Sequence, residues 1–207
     1  MAQISLTFPD GNVRSYPAGT TPAEVAASIA PGLAKKAISA TVDGRHFDLQ
    51  WPLNADAAIQ INTSKDEGPA LELVRHDLAH IMARAVMRLF PGAQLAFGPA
   101  LENGFYYDID APTPIREEDF PRIEEEMRKI VADAEPFERF ERSVDEAREL
   151  VRDLGQGYKV EHIDDDLKRY PSLSFYRQGE FIVLCRGPHI PHAGKVGAIK
   201  LLSIAGP

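Results

Sequence analysis

The stretch Leu73-Val-Arg-His76-Asp-Leu-Ala-His80-Ile-Met82 places two imidazoles four residues apart within a strong helical pattern, which predicts a helix over residues 70–90. At about 100° per residue, His76 and His80 fall roughly opposite the main apolar stripe. The apolar stripe is formed by Val74, Leu78, Ile81, Ala85 and Leu89. Residues four apart are neighbours on a helix surface, so both rings can bind the same metal ion, water or phosphate oxygen.

A second cluster, Cys185-Arg-Gly-Pro-His189, follows a strand-like run more than a hundred residues later. The Gly187-Pro188 pair is expected to turn the chain so that His189 points back. Together with His76 and His80, this cluster supplies three histidines and one cysteine, which are ligand types suited to tetrahedral zinc. Two roles stay open: a zinc-bound water made nucleophilic, or a metal-free set in which the imidazoles act as a general base on a water.

Three further residues are candidates for the same site. Lys159 lies among apolar residues, and such a lysine tends to lose proton affinity and to bind an anion, such as a ribose phosphate or a developing oxyanion. A surface lysine with a partly buried stem is the alternative. Tyr106 and Tyr107 can stack on a base, and in a strand only one of the two would face the site.

Composition restricts the class of protein. The chain has 207 residues, with 44% hydrophobic and 26% charged residues, which is typical of globular domains. A single cysteine excludes an internal disulfide and favours a reducing compartment. With no long apolar run and no signal-like start, we expect a cytoplasmic protein without a membrane partner. The net charge of −8 argues against broad nucleic-acid binding but allows a local basic surface.

The element pattern predicts an α+β protein of two parts. Residues 1–63 show a hairpin, a helix with the capping box Thr21-Pro-Ala-Glu24, and further short strands, which is typical of a small β-grasp module. Residues 64–69 are polar, end in Gly-Pro and are interpreted as a linker. Residues 70–207 form the larger part, with helices and an antiparallel sheet.

Within the larger part, the pattern predicts helices over 117–134 and from the capping box at Ser143 to about Gly155. Strands are expected at 105–108 and 157–160. A hairpin is expected from 174–178 and 181–184, with Cys185 at its end.

Several sequence motifs in this chain resemble those of a known family. Residues 1–63 resemble the TGS domain, and the His76-x₃-His80 and Cys185-x₃-His189 pairs resemble the second additional domain shared by threonyl- and alanyl-tRNA synthetases. Three further motifs are similar to motifs of bacterial threonyl-tRNA synthetases, so the likeness covers nearly the whole chain. They are Asn103-Gly-Phe-Tyr-Tyr-Asp108, Tyr158-Lys-Val160 and Leu201-Leu-Ser-Ile-Ala-Gly206.

The resemblance implies an editing domain that hydrolyses serine wrongly esterified to threonine tRNA. In that reading the 3′-terminal seryl-adenosine enters beside the histidine helix, and water is positioned by His76, His80 and His189. Lys159 would steady the ribose or ester, and Cys185 would line the pocket. Tyr106, Tyr107 and Arg186 would bind the tRNA end. The matching set holds zinc in alanine-specific relatives but is metal-free in threonyl enzymes, so the expectation is that no cofactor is required, with zinc as the alternative.

One position departs from the family pattern. An aspartate usually stands two residues before the cysteine, and this chain has Val183. That change leaves open an RNA-binding module with weak or lapsed editing, and a zinc-dependent hydrolase of another substrate is a further alternative. Because no aminoacylation motif follows, the chain is expected to be a fragment whose partner is the remainder of a synthetase.

Overall fold

A computed structural model describes residues 2–63 and 68–206. The chain divides into two compact units. The first contains the described residues up to Val74 together with Gly187–Pro191, and the second contains Arg75–Arg186 and the described residues from His192 onward. The architecture is α+β, as the sequence predicts.

The first unit is a five-stranded sheet with two helices. Its strand order is β2-β1-β5-β3-β4, in which β1 and β5 are parallel and the other neighbours are antiparallel. This arrangement confirms the β-grasp prediction. The elements are β1 (Gln3–Thr7), β2 (Val13–Pro17), α1 (Pro22–Ile29), α2 (Pro31–Lys36), β3 (Ala37–Val42), β4 (Arg45–Phe47) and β5 (Ala57–Thr63).

Local chemistry defines α1 as predicted. The Thr21 side chain accepts from the backbone N–H of Glu24, and the Glu24 carboxylate accepts from the backbone N–H of Thr21, which forms the capping box. Val25 then packs into a core with residues of β1, β3 and β5. Helix α1 ends at Ile29, before Pro31-Gly32, and Pro31 begins the short helix α2, because proline suits the first position of a helix.

The second unit combines helices with a three-stranded antiparallel sheet in the order β10-β11-β12. Its helices are α3 (Pro69–Leu89, from Arg75 onward in this unit), α4 (Phe120–Asp133), α5 (Val144–Asp153) and α6 (Gly157–His162). Its strands are β6 (Gln94–Leu95), β7 (Ala100–Leu101), β8 (Gly104–Phe105), β9 (Ile109–Asp110), β10 (Glu138–Ser143), β11 (Ser172–Gln178) and β12 (Phe181–Leu184).

One predicted strand is wrong, and another is confirmed only at its first residue. Residues 157–160 are the start of α6, which continues into a π-helical turn, Ile163–Leu167. Ile163 and Leu167 are buried one helical turn apart, and this apolar spacing overrides the short strand-like pattern. The strand predicted at 105–108 is regular only at Phe105, in β8, although Asp108 still exchanges backbone hydrogen bonds with the opposing segment. Pro99 on that segment has no N–H to donate, so the ladder is incomplete.

The predicted linker at 64–69 lies mostly outside the described residues, which omit 64–67, so that boundary stays a prediction. Pro69 begins α3 within one residue of the predicted start. Among the described residues, no helix has both the length and the apolar character needed to cross a membrane.

Candidate active site

Helix α3 carries four polar side chains at four-residue intervals: His76, His80, Arg84 and Arg88. Such a row is inclined to the helix axis and forms a continuous ridge. The β11–β12 hairpin contacts this ridge along its length. Its turn residue Glu180 binds the two arginines, and Cys185, just beyond β12, reaches His76.

Three heteroatoms converge at the histidine end of the ridge. The His76 Nε2 atom lies 3.2 Å from Cys185 Sγ and 3.2 Å from His80 Nε2. One imidazole nitrogen carries either one proton or one lone pair, so His76 Nε2 makes only one of these two hydrogen bonds at a time. This arrangement suits a site that binds a cation or orients a water molecule.

The hairpin fixes the position of Cys185. Its backbone N–H donates to the Ser174 carbonyl at 3.2 Å, and the Ser174 hydroxyl donates back to the Cys185 carbonyl at 2.7 Å. These bonds extend the β11–β12 pairing by one residue beyond Leu184. The thiol is therefore held by backbone geometry, as expected for a residue at the end of the predicted hairpin.

The arginine end of the ridge is a dense ion-pair network. Arg84 is 1% exposed, and its guanidinium binds Glu180 and Glu135, each at 2.5 Å. Arg88 binds the same Glu180 at 2.7 Å and Glu126 at 2.8 Å. Because Arg84 donates to it, the pKa of the Glu180 carboxyl lies well below its usual value. These contacts tie the hairpin turn to the helix.

Beside Cys185 lies a pocket of about 350 Å³, here named the Cys185 pocket. Its lining includes Phe97, Lys159, His162, Tyr170, Cys185 and Arg186. This volume falls in the range of small-ligand sites.

Lys159 is buried at the wall of this pocket, with 7% exposure. Its ammonium donates to the Ala96 carbonyl and lies 4.8 Å from the centre of the Phe97 ring, a cation–π contact. Burial lowers the pKa of Lys159, and attraction to Cys185 partly restores it. This direction agrees with the sequence-based expectation for a lysine among apolar residues, although Lys159 lies on a helix rather than a strand.

The two tyrosines differ in environment. Tyr107 packs with its ring centre 6.2 Å from that of His80, whereas Tyr106 is 44% exposed. Burial raises the pKa of the Tyr107 hydroxyl, and the charge of Cys185 raises it further. A Cβ on Gly98 would lie 2.2 Å from the Tyr107 ring, so only glycine allows this ring to lie against the backbone.

His162 is a further polar residue in the lining of the Cys185 pocket. Its Nδ1 lies 2.8 Å from Asp166 Oδ2, and its ring meets Phe97 edge-on at 5.1 Å. Lys159, His162 and Asp166 follow at helical intervals on one face. Recognising residues 157–167 as helical would have found this face.

Arg186 and His189 are the two remaining residues predicted for the site. Arg186 is exposed at the pocket, with its guanidinium 5.8 Å from the centre of the Tyr170 ring. His189 belongs to the segment grouped with the first unit, where its backbone N–H donates to Asp48 Oδ1 at 2.7 Å. Its place in the site therefore stays a prediction from the Cys-x₃-His spacing.

Comparison with known proteins adds independent information. Residues 4–63 match the TGS domain model, and residues 173–206 match the model of the threonyl and alanyl tRNA synthetase second additional domain. The chain is 56% identical, over 100% of its length, to threonine–tRNA ligase of Ruegeria sp. (strain TM1040). It is 50% identical over 99% to that of Rhodopirellula baltica and 47% identical over 98% to that of Anoxybacillus flavithermus.

The chain carries the TGS and editing region of the bacterial threonyl-tRNA synthetase family. It spans 32%, 28% and 31% of these three relatives, about a third of their length.

Within this synthetase editing region, residue 183 is an apolar position. Val183 pairs with Tyr176 across the β11–β12 hairpin and is 4% exposed. It packs in a cluster with Ala83, Leu95 and Phe181, which also contacts Tyr107 and Cys185. A carboxylate at this position would enter hydrocarbon, so the surrounding packing agrees with valine.

Proposed function

We propose that this chain hydrolyses the ester of serine mistakenly attached to threonine tRNA, as the editing region of a threonyl-tRNA synthetase. The observation that carries the proposal is that His76 Nε2 lies 3.2 Å from both His80 Nε2 and Cys185 Sγ. The family likeness supports the substrate class. The tRNA acceptor end, the rest of a synthetase and a cytoplasmic location are parts of the same proposal.

An editing site is needed because a site that activates threonine cannot exclude serine completely. Serine lacks one methyl group of threonine, and one methyl is worth about 1–3 kcal/mol in a binding pocket. A threonine-activating site therefore also accepts serine. A second pocket can accept serine and exclude threonine by a steric clash with its methyl group.

In the proposed reaction, a water oxygen adds to the ester carbonyl carbon and the bond to the ribose oxygen then breaks. His76 and His80 orient the water and accept its proton, and a proton is returned to the leaving ribose oxygen. The Lys159 ammonium stabilises the carbonyl oxygen or the ribose by charge. Cys185 lines the pocket, and His189 is included on the evidence of its sequence spacing.

The same atoms fit a zinc ion. A tetrahedral zinc places nitrogen and sulfur ligands about 3.3–3.6 Å apart, given its usual bond lengths. The separations of 3.2 Å at His76 are close to these values. His76, His80 and Cys185 would then be ligands, with His189 as the fourth by sequence. A bound zinc would make a coordinated water acidic near neutral pH.

The proposal is tested by measuring serine release from Ser-tRNA(Thr). Wild-type protein is expected to release serine, and His76→Ala is expected to slow release about 100-fold because the water loses its base. His46→Ala, in strand β4 of the first unit, is a matched control and should equal wild type. No release by wild type would contradict the enzyme proposal. Repeating the assay with a chelator, alongside metal analysis, separates the zinc-dependent and metal-free forms.

The apolar surroundings of Val183 favour a second candidate, an acceptor-end binding module with weak editing. This candidate predicts that wild type binds tRNA with little serine release, and that Val183→Asp increases release. Equal or lower release by Val183→Asp would remove that argument.

A further inference from the structure

We propose that Arg169, Tyr170 and Arg186 form a subsite for the phosphate that precedes the terminal nucleoside, so that this site binds the end of a nucleic-acid strand more tightly than an isolated aminoacyl nucleoside. The inference rests on the proposed function for the identity of the ester. Its own evidence is the arrangement of these three side chains at the margin of the Cys185 pocket.

Two guanidinium groups flank one aromatic ring. The Cζ atom of Arg169 lies 5.3 Å from the centre of the Tyr170 ring, and that of Arg186 lies 5.8 Å from it. All three side chains line the Cys185 pocket. The Arg169 guanidinium also donates to the Tyr170 hydroxyl at 3.5 Å, which limits its orientation but leaves its other N–H groups available for an anion.

Neither guanidinium is held in a close ion pair among the described residues, although Asp166 attracts Arg169 from a greater distance. Across residues 2–63 and 68–206, no carboxylate oxygen forms an ion pair with Arg169 or Arg186, in contrast to Arg84, Arg88 and Arg148. The pocket's acidic residue, Asp166, contacts His162 at 2.8 Å. The pair also lowers the pKa of the Tyr170 hydroxyl, mainly through Arg169.

The position of this pair relative to Cys185 indicates which group it binds. Arg186 directly follows Cys185, so its Cα lies about 3.8 Å along the chain from that of the thiol residue. An ester held near Cys185 therefore places the adjoining phosphodiester within reach of both guanidiniums. Arginine forks bind phosphate oxygens in a bidentate manner, and Tyr170 and Phe97 provide ring faces for bases.

The chain as a whole has a net charge of −8, which disfavours RNA at long range. A local pair of cations can overcome this only where phosphate comes close. The expected ligand is thus a short single-stranded 3′ end that carries phosphate, and a neutral nucleoside ester is expected to bind weakly.

The test compares two non-hydrolysable probes. One is 3′-serylamido-adenosine, and the other is a four-nucleotide RNA that ends in the same group. Affinities of wild type, Arg169→Gln and Arg186→Gln are measured by calorimetry as salt is varied. Arg177→Gln is the matched control, since Arg177 is an exposed arginine on β11 that stacks on Phe140 outside the pocket.

Each pocket variant should bind the RNA probe about tenfold more weakly than wild type does, and reduce the slope of log affinity against log salt by about 0.7. Binding of the nucleoside probe and both results with Arg177→Gln should be unchanged. An RNA slope that stays at the wild-type value, or an equal loss for both probes, would overturn the inference. Because binding alone is measured, absence of serine release in the hydrolysis assay would leave this result interpretable.

Discussion

The two ends of the polar row on α3 use the same four-residue spacing for opposite purposes. At one end, Arg84 and Arg88 meet three carboxylates within 2.5–2.8 Å, so every charge has a partner. At the other, His76 and His80 meet each other and a thiol. The paired arginines therefore act as a structural anchor. The two imidazoles can still accept or donate protons in a reaction.

The anchor also explains how the reactive end is assembled. Glu180 at the hairpin turn is bound by both arginines, and five residues later Cys185 reaches His76. About five strand residues cover about 16 Å, and the eight helix residues from Arg84 to His76 cover about 12 Å. A strand fixed at one end of the row thus delivers its thiol to the other end.

The largest expected effect separates the two ends by activity. His80→Gln keeps a polar side chain of similar length but removes the imidazole, so serine release from Ser-tRNA(Thr) should fall about 100-fold. Its unfolding free energy should stay within about 1 kcal/mol of wild type. Arg88→Met, at the other end, should change release by less than about twofold. A similar loss in both variants would remove the distinction between the ends.

A substitution at the arginine end of the row should affect stability rather than activity. Arg84→Met should lower the unfolding free energy by about 2–3 kcal/mol, measured by urea unfolding. Breaking a buried pair costs about 3–5 kcal/mol, and the partial exposure of Glu135 and Glu180 reduces that value. At temperatures where the variant is folded, serine release should remain within about threefold of wild type. Unchanged stability would show that the network is not an anchor.

A third change tests the packing behind the histidines. Gly98→Ala would place a Cβ 2.2 Å from the Tyr107 ring, which must then move away from His80. We expect a loss of about 1–3 kcal/mol in stability and about tenfold slower serine release. Gly197→Ala is the matched control, because nothing lies within 4 Å of its added Cβ. Equal behaviour of the two alanine variants would contradict this role for Gly98.

The smallest expected effect is the pH dependence of the anchor. The pKa of the Glu180 carboxyl is depressed in the folded state, so its stabilising contribution is present above the unfolded value of 4.5 and is lost as the pH falls through the lower folded value. Glu180→Gln should therefore lose less stability than wild type between pH 7 and pH 3, as followed by urea midpoints. Parallel loss in both proteins would show that other carboxylates account for the acid sensitivity.

The sequence was sufficient where local chemistry decides the structure. The capping box at Thr21, the helix carrying His76 and His80, and the hairpin ending at Cys185 each have a signal contained in a few neighbouring residues. The convergence of His76 with Cys185 could be predicted only as a hypothesis, because no local pattern brings together residues 109 positions apart.

The failures have physical causes. A four-residue window at 157–160 cannot distinguish a strand from the first turn of a helix, and the deciding residues, Ile163 and Leu167, lie beyond it. The aromatic residues at 105–108 favour a strand, but the regular strand ends at Phe105, because Pro99 on the opposing segment has no N–H to complete the ladder. The grouping of Arg169 and Arg186 around the Tyr170 ring was missed because the two arginines come from separate segments of the chain.

The most direct test is a crystal structure of the protein with 3′-serylamido-adenosine bound. The serine carbonyl carbon is expected next to a water molecule or metal ion that contacts His76 Nε2 and His80 Nε2, with Lys159 bound to the carbonyl or ribose oxygen. A seryl group bound away from both imidazoles, with Lys159 still attached only to the Ala96 carbonyl, would contradict the proposed editing site.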